Sequence, residues 1–232
     1  GRGLFLEPEI LTLPRGTYPG AVVTGLFNAG SDLDFAVAVE DLDGTGGATA
    51  GGIIVFFGDG AFGVTGTDEG LGQEALSGLT ALAAGNLDGD TVEDLVLLNS
   101  ASDSYTVFMS PGFAPSTSVI TCGGPVAVDL GELDLAPSLD MAIACDPTAV
   151  SDQVQTWKGA GTAPFTAYAG QPAPTSLNDP RGLVIADLNG DGDNDIAVAN
   201  RHGLAAAAID GDVTLLNNDG NGNFTEFTAS PV

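Results

Sequence analysis

The sequence predicts an all-β chain assembled from four copies of one four-stranded antiparallel unit. Three observations predict it. A short strand opened by aspartate recurs as Asp34-Phe35-Ala36-Val37-Ala38, Asp94-Leu95-Val96-Leu97-Leu98, Asp140-Met141-Ala142-Ile143-Ala144 and Asp195-Ile196-Ala197-Val198-Ala199. These aspartates are spaced by 60, 46 and 55 residues, and self-similarity at such a period marks a chain of stacked supersecondary units. A glycine turn follows the strands, as Gly58-Asp59-Gly60-Ala61-Phe62 and Gly220-Asn221-Gly222-Asn223-Phe224, with looser forms at Pro111-Gly112-Phe113 and from Gly159 to Phe165. Composition agrees, because 34 glycines beside only 16% charged residues favour turns and strands over surface helices. Repeats of this size holding four strands match single blades, so the expected architecture is a β-propeller-like array.

Each unit reads as strand, acidic loop, strand, connection, strand, glycine turn, outer strand. In the first unit the strands are expected at 21–26, 34–39, 52–57 and 62–67. The second places them at 79–84, 94–99, 105–109 and 113–120. The third uses 126–130, 140–145, 154–157 and 165–169, and the fourth 182–186, 195–200, 212–217 and 224–228. The continuous apolar runs of the inner strands suit burial on both faces between neighbouring sheets. As one domain over 1–232, the chain then divides into blades at 21–72, 73–121, 122–172 and 173–232.

Residues 1–20 are left as an outer strand and a link. Gly1-Arg2-Gly3-Leu4-Phe5 repeats the glycine turn, and 5–13 reads as an outer strand whose own blade is missing. Three explanations compete: the chain is a piece of a larger propeller, the strand closes a four-bladed ring, or it pairs with another copy. An unpaired edge strand invites association. Repeated head to tail without closure, that contact makes a filament.

The acidic loops carry the candidate chemistry. In Asp187-Leu188-Asn189-Gly190-Asp191-Gly192-Asp193-Asn194-Asp195, oxygen-bearing side chains alternate along the turn, with Gly190 and Gly192 where the backbone bends. A hard dication takes six to eight oxygens at roughly 2.3–2.6 Å, and alternate residues of a tight loop supply them. Asp187, Asn189, Asp191 and Asp195 read as side-chain ligands, with Asp193 giving its carbonyl. Calcium is expected rather than magnesium, which keeps more of its water. The loop 86–94 keeps the pattern: Asn86, Asp88, Asp90 and Asp94 offer side chains and Val92 a carbonyl. In the third loop Glu132, Asp134 and Asp140 remain, but Ala136 and Pro137 displace the middle ligand, so it reads as vestigial. The first retains only Asn28 and Asp34 and is expected to be empty. Turn chemistry accounts for the acidic runs at 41–44 and 219–223.

The residues from 185 to 200 with 213–224, and more loosely 84–99, resemble the FG-GAP/VCBS repeats of integrin α-subunit-like β-propellers. The first and third units share mainly the strand pattern. The resemblance implies that the acidic loop joins two neighbouring strands of a blade and holds calcium. It also implies blades stacked radially, leaving only short, protected sheet edges.

Charge and cysteines narrow the setting. Thirty-one acidic residues against five basic ones give a net charge of −26, which makes nucleic acid and anionic membranes poor partners. Bound calcium and external salt offset such self-repulsion. Composition is 44% apolar, which argues against disorder, and no run approaches the ~18 residues that span a bilayer. A chain opening at Gly1 is expected to be a processed product. Cys122 precedes the first strand of the third unit and Cys145 ends its second; a hairpin brings those ends together, so a disulfide is expected, against the alternative of two buried thiols. That pairing and the calcium loops place the protein outside the cell or on its surface. Asn223-Phe224-Thr225 has the form of an N-glycosylation acceptor.

No nucleophile–histidine pair, phosphate cradle or zinc cluster stands out. His202, the single histidine, lies beside Arg201. The expectation is therefore a non-enzymatic, calcium-binding extracellular propeller, a structural or adhesive module whose partner is a protein or glycan. Two alternatives are a filament subunit whose strand 5–13 completes a neighbour's sheet, and a carbohydrate-binding or polysaccharide-cleaving propeller.

Overall fold

The computed structural model describes residues 10–13, 18–40, 51–61, 63–71, 78–120, 122–147, 151–161, 165–202 and 211–227. The described residues are all-β: sixteen strands form four four-stranded sheets, each in simple sequential order. Sheet 1 holds β1 (Tyr18–Gly25), β2 (Asp34–Glu40), β3 (Gly52–Gly58) and β4 (Val64–Leu71). Sheet 2 holds β5 (Leu79–Gly85), β6 (Asp94–Asn99), β7 (Ser104–Met109) and β8 (Ala114–Val119). Sheet 3 holds β9 (Pro125–Gly131), β10 (Asp140–Cys145), β11 (Gln153–Lys158) and β12 (Thr166–Ala167). Sheet 4 holds β13 (Pro180–Ala186), β14 (Asp195–Asn200), β15 (Asp212–Asn218) and β16 (Phe224–Glu226). All neighbours pair antiparallel, as short connections require.

Register repeats from sheet to sheet. The last residue of each first strand faces the aspartate that opens the second: Gly25 with Asp34, Gly85 with Asp94, Gly131 with Asp140, Ala186 with Asp195. Each first strand also carries a bulge, at Gly20, Thr80, Val126 and Arg181. A bulge bends and twists a strand locally. Here it recurs at the end of the strand away from the acidic loop.

The sheets stack face to face in series, with β1 on β5, β5 on β9 and β9 on β13. Period-two alternation decides which side chain faces which neighbour. In β6, β10 and β14 the residues one and three after the aspartate face the preceding sheet, and in β2, β6 and β10 those two and four after it face the following one. So Ala36, Ala38, Ile53 and Val55 of sheet 1 meet Leu95, Leu97 and Phe108 of sheet 2. Val96, Leu98, Tyr105 and Val107 meet Met141, Ile143, Cys145 and Trp157. Ala142, Ala144 and Val154 meet Ile196, Val198 and Leu216. Tyr105 is fully buried and packs edge-on against Trp157 at 5.5 Å and Phe165 at 6.1 Å. The series is open: among the described residues β13 makes no packing on β1 like that between successive first strands.

One expectation changes. Residues 10–13, assigned to an outer strand, carry no strand. Leu13 instead packs on an apolar cluster of Val37, Val39, Ile54 and Phe56 on the outward face of sheet 1. Burial of one leucine on that face replaces the ladder pairing expected of an edge strand. Residues 1–9, the remainder of that assignment, lie outside the described residues, as does Thr228 of the last outer strand.

Candidate metal centre

The four acidic loops join the first strand of each sheet to the second, and their closing aspartates share one geometry. The Asp195 carboxylate accepts the Leu188 N–H at 3.2 Å on one oxygen and the Asn218 N–H at 2.9 Å on the other. Asp94 accepts from Leu87 and Ser110, both at 2.8 Å. Asp140 takes Leu133 and Gly159, both at 2.8 Å, and Asp34 takes Phe27 at 3.0 Å and Gly58 at 2.9 Å. All four are buried. Each carboxylate thus ties the start of its loop to the end of the third strand, satisfying two backbone donors that would otherwise be buried unpaired. Asp94 and Asp195 were expected as ligands. The same staple recurs in the first and third loops, so its structural role does not depend on metal. At Asp94 and Asp195 each oxygen keeps a second lone pair for a cation.

The loop 187–195 is wound by its own side chains. Asp187 accepts the N–H groups of Gly190 at 2.7 Å and Gly192 at 3.1 Å. Asn189 accepts from Asp191 at 2.8 Å, and Asp191 from Asp193 at 3.0 Å. Gly190 has φ of 82° and Gly192 of 97°, left-handed values that favour glycine. Loop 86–94 repeats the winding: Asn86 accepts from Gly89, Asp88 from Asp90, and Asp90 from Val92, at 2.7–3.0 Å. Gly89 has φ of 80°, and buried Leu87 and Val92 anchor the loop to the core. Burial pushes the Asp94 carboxyl up from its ordinary pKa, and the charges of Asp88 and Asp90 push the same way against the two N–H bonds.

Donor chemistry and backbone in both loops suit a hard cation: oxygens only, in alternation, on a turn with glycines at positive φ. The crowding of charge at Asp94 is of the kind a cation relieves. The oxygens are not gathered into a closed cage, however. Among the described residues no three His, Cys, Asp or Glu side chains converge as a metal-binding group. Asp193 turns away from the loop, toward Gly220.

The third loop is closed by other means. Lys158, the last residue of β11, forms an ion pair with Asp134, whose other oxygen accepts the Ala136 N–H at 2.7 Å. Tyr168 donates its hydroxyl to Asp140 at 2.7 Å, and burial together with that bond raises its pKa. In the first loop Asn28 donates to Asp34 at 2.9 Å.

Successive loops also hold each other. The residue before the closing aspartate reaches back one sheet: Glu93 accepts the Leu26 N–H at 3.0 Å and donates its own N–H to the Leu26 carbonyl at 2.7 Å. Asn194 likewise donates to the Glu132 carbonyl at 3.0 Å, and Asn218 to that of Leu133 at 2.9 Å. Sequence reasoning missed these contacts, because their partners lie on another repeat.

Other expected positions fall as follows. Cys122 and Cys145 form a disulfide with Cα atoms 6.1 Å apart, both buried in the core between sheets 2 and 3. Asn223 is exposed, but its side-chain nitrogen, the atom a glycan would occupy, donates to Asp219 at 2.9 Å. Asp219 also caps the N–H groups of Asn221 and Asn223, which is turn chemistry as expected. His202 Nδ1 lies 3.0 Å from Asp179, whose carboxylate pairs with Arg181 and Arg201, so the histidine sits beside an ion cluster. No known protein family and no curated protein matches the chain in sequence.

Proposed function

We propose that the chain is a calcium-stabilised β-propeller module of the FG-GAP/VCBS type, secreted or cell-surface, with a structural or adhesive role. One observation carries the reading. Two of the four equivalent loops keep alternating oxygen donors around positive-φ glycines, while the third substitutes a lysine ammonium for the missing positive charge. The acidic turn calls for positive charge, which Lys158 supplies in the third loop and a bound cation would supply in the other two. Asp187, Asn189, Asp191, Asp195 and the Asp193 carbonyl would hold one ion, and Asn86, Asp88, Asp90, Asp94 and the Val92 carbonyl a second.

The ion's chemistry here is charge neutralisation and cross-linking of a turn. This chain's residues do the rest: the closing aspartates staple loop to strand, and Glu93 and Asn194 lock neighbouring loops together. Order at the loop rim then supports a surface for a protein or glycan partner. The buried disulfide fits an oxidising compartment. The serial face-to-face stacking of the sheets is compatible with blades arranged about an axis. We read the module as non-catalytic, since its regularly placed carboxylates already have turn and staple roles.

Equilibrium dialysis against calcium tests the reading. It should find about two ions per chain, one lost in Asp187→Asn and the other in Asp88→Asn. No bound ion at millimolar calcium would refute it.

A further inference from the structure

Two of the three interfaces inside the chain repeat one contact, in which a groove on sheet 1 or sheet 3 receives a ridge from the next sheet; sheet 2 carries Val96 and Leu98 at the groove positions. The groove is floored by the residues two and four after the aspartate: Ala36 and Ala38 in sheet 1, Ala142 and Ala144 in sheet 3. It is flanked by their third-strand partners, Val55 and Ile53, or Thr156 and Val154. The ridge is built from the residues one and three after the next aspartate: Leu95 and Leu97, or Ile196 and Val198.

Sheet 4 repeats the groove and leaves it open. Ala197 and Ala199 form the floor, with Leu215 and Val213 paired opposite and Val184 beside Ala197. Val213 is 61% exposed, Val184 46% and the neighbouring Phe227 59%. Leu188, Leu215 and Phe227 line a hollow of about 150 Å³ at the rim. Sheet 1 repeats the ridge, as Phe35 and Val37 with Phe56 and Ile54 opposite, and the two phenylalanines stack at 4.6 Å. Among the described residues that ridge enters no groove; Val37, Ile54 and Phe56 are buried, with Leu13 and Val64 packed against their cluster.

We propose that the open face of sheet 4 docks a second copy of this chain through the Phe35/Val37 ridge of that copy's sheet 1. The chemistry of the contact is already written twice in the chain, between sheets 1 and 2 and between sheets 3 and 4, which is what selects this partner over an unrelated apolar surface. Docking exchanges Leu13 for the neighbour's groove. Ile10 and Leu11, at 82% and 39% exposure, are not part of the buried cluster and offer little resistance to that exchange. Because the two surfaces differ, the contact is heterologous, and each added copy presents a fresh groove. This goes beyond the calcium reading and stands on packing alone.

Sedimentation of the whole chain at increasing concentration, in moderate salt to screen its negative charge, tests the proposal in calcium and again in chelator. The expected result is a mass that rises past the dimer. Val184→Asp with Val213→Asp places charges on the groove at exposed positions, so melting should stay near wild type while self-association weakens at least ~10-fold. That variant still carries its ridge and should bind wild type, capping the assembly. Leu13→Ser weakens the one contact seen on the ridge from the N-terminal segment and should strengthen association. A strictly monomeric wild type, a double variant that assembles as before or fails to bind wild type, or a Leu13→Ser variant that no longer assembles would overturn the proposal. Loss of assembly in chelator alone would also overturn it, since the contact needs no ion. Failure of the calcium reading is registered separately, as absent binding in dialysis.

Discussion

The ammonium group of Lys158 pairs with the carboxylate of Asp134 in the third acidic loop. This is the loop in which Ala136 and Pro137 displace the middle ligand, so a side-chain cation stands where sequence reasoning expected no metal.

That pair sets a pH window. Burial pushes the Asp134 carboxyl up, but the bonds from Lys158 and the Ala136 N–H outweigh it and hold the pKa below its ordinary value. The bond from Asp134 raises that of Lys158. A lowered carboxylate pKa stabilises above the unfolded value and is lost as pH falls through the folded one. A raised lysine pKa stabilises below its unfolded value and is lost as pH rises through the folded one. Lys158→Gln should therefore melt slightly below wild type across neutral pH. The gap should close at both the acid and the alkaline extreme, as thermal melts over a pH series will show. The effect is small because Lys158 is half exposed and screened by solvent.

The closing aspartates separate structural from metal roles. Asp34→Ala strips two backbone N–H groups of a buried charged acceptor, and bonds to charged groups are worth about 1.5–3 kcal/mol each. A loss of roughly 3 kcal/mol or more is expected, the same with calcium or chelator. Asp195→Ala should cost as much in chelator and more in calcium. Asp191→Asn, at an exposed turn, should leave chelated stability nearly unchanged. Urea unfolding under both conditions checks all three.

Gly190 offers a cleaner backbone test. A Cβ built there meets nothing within 4 Å, so any penalty comes from its φ of 82°. Gly190→Ala should cost about 1 kcal/mol, and Gly190→Asn less, since asparagine tolerates the left-handed region. Equal losses in the two variants would mean that conformation is not the cause.

Much of the fold was legible where burial is two-sided. The spans 94–99, 140–145 and 195–200 match β6, β10 and β14 to the residue, because each is an apolar run behind an aspartate, packed on both faces in β6 and β10 and on one in β14. Outer strands were less legible. The expected 165–169 shrinks to Thr166–Ala167, and β8 alternates exposed and half-buried polar residues, so little apolar patterning marks its ends. The loop donors could be read from alternation. The staple could not, because Asp34, Asp94, Asp140 and Asp195 bond to Gly58, Ser110, Gly159 and Asn218, whole strands away. Nor could the clasp of Glu93 on Leu26, which depends on how two sheets sit together.

The central claim is that cations on loops 86–94 and 187–195 stabilise the folded chain. The most direct measurement is the melting temperature in calcium and in chelator at matched ionic strength. An ion a hundredfold above its dissociation constant adds roughly 2.7 kcal/mol per site, so melting should fall by several degrees in chelator, and neutral salt should not restore it. An unchanged melting temperature would contradict the account.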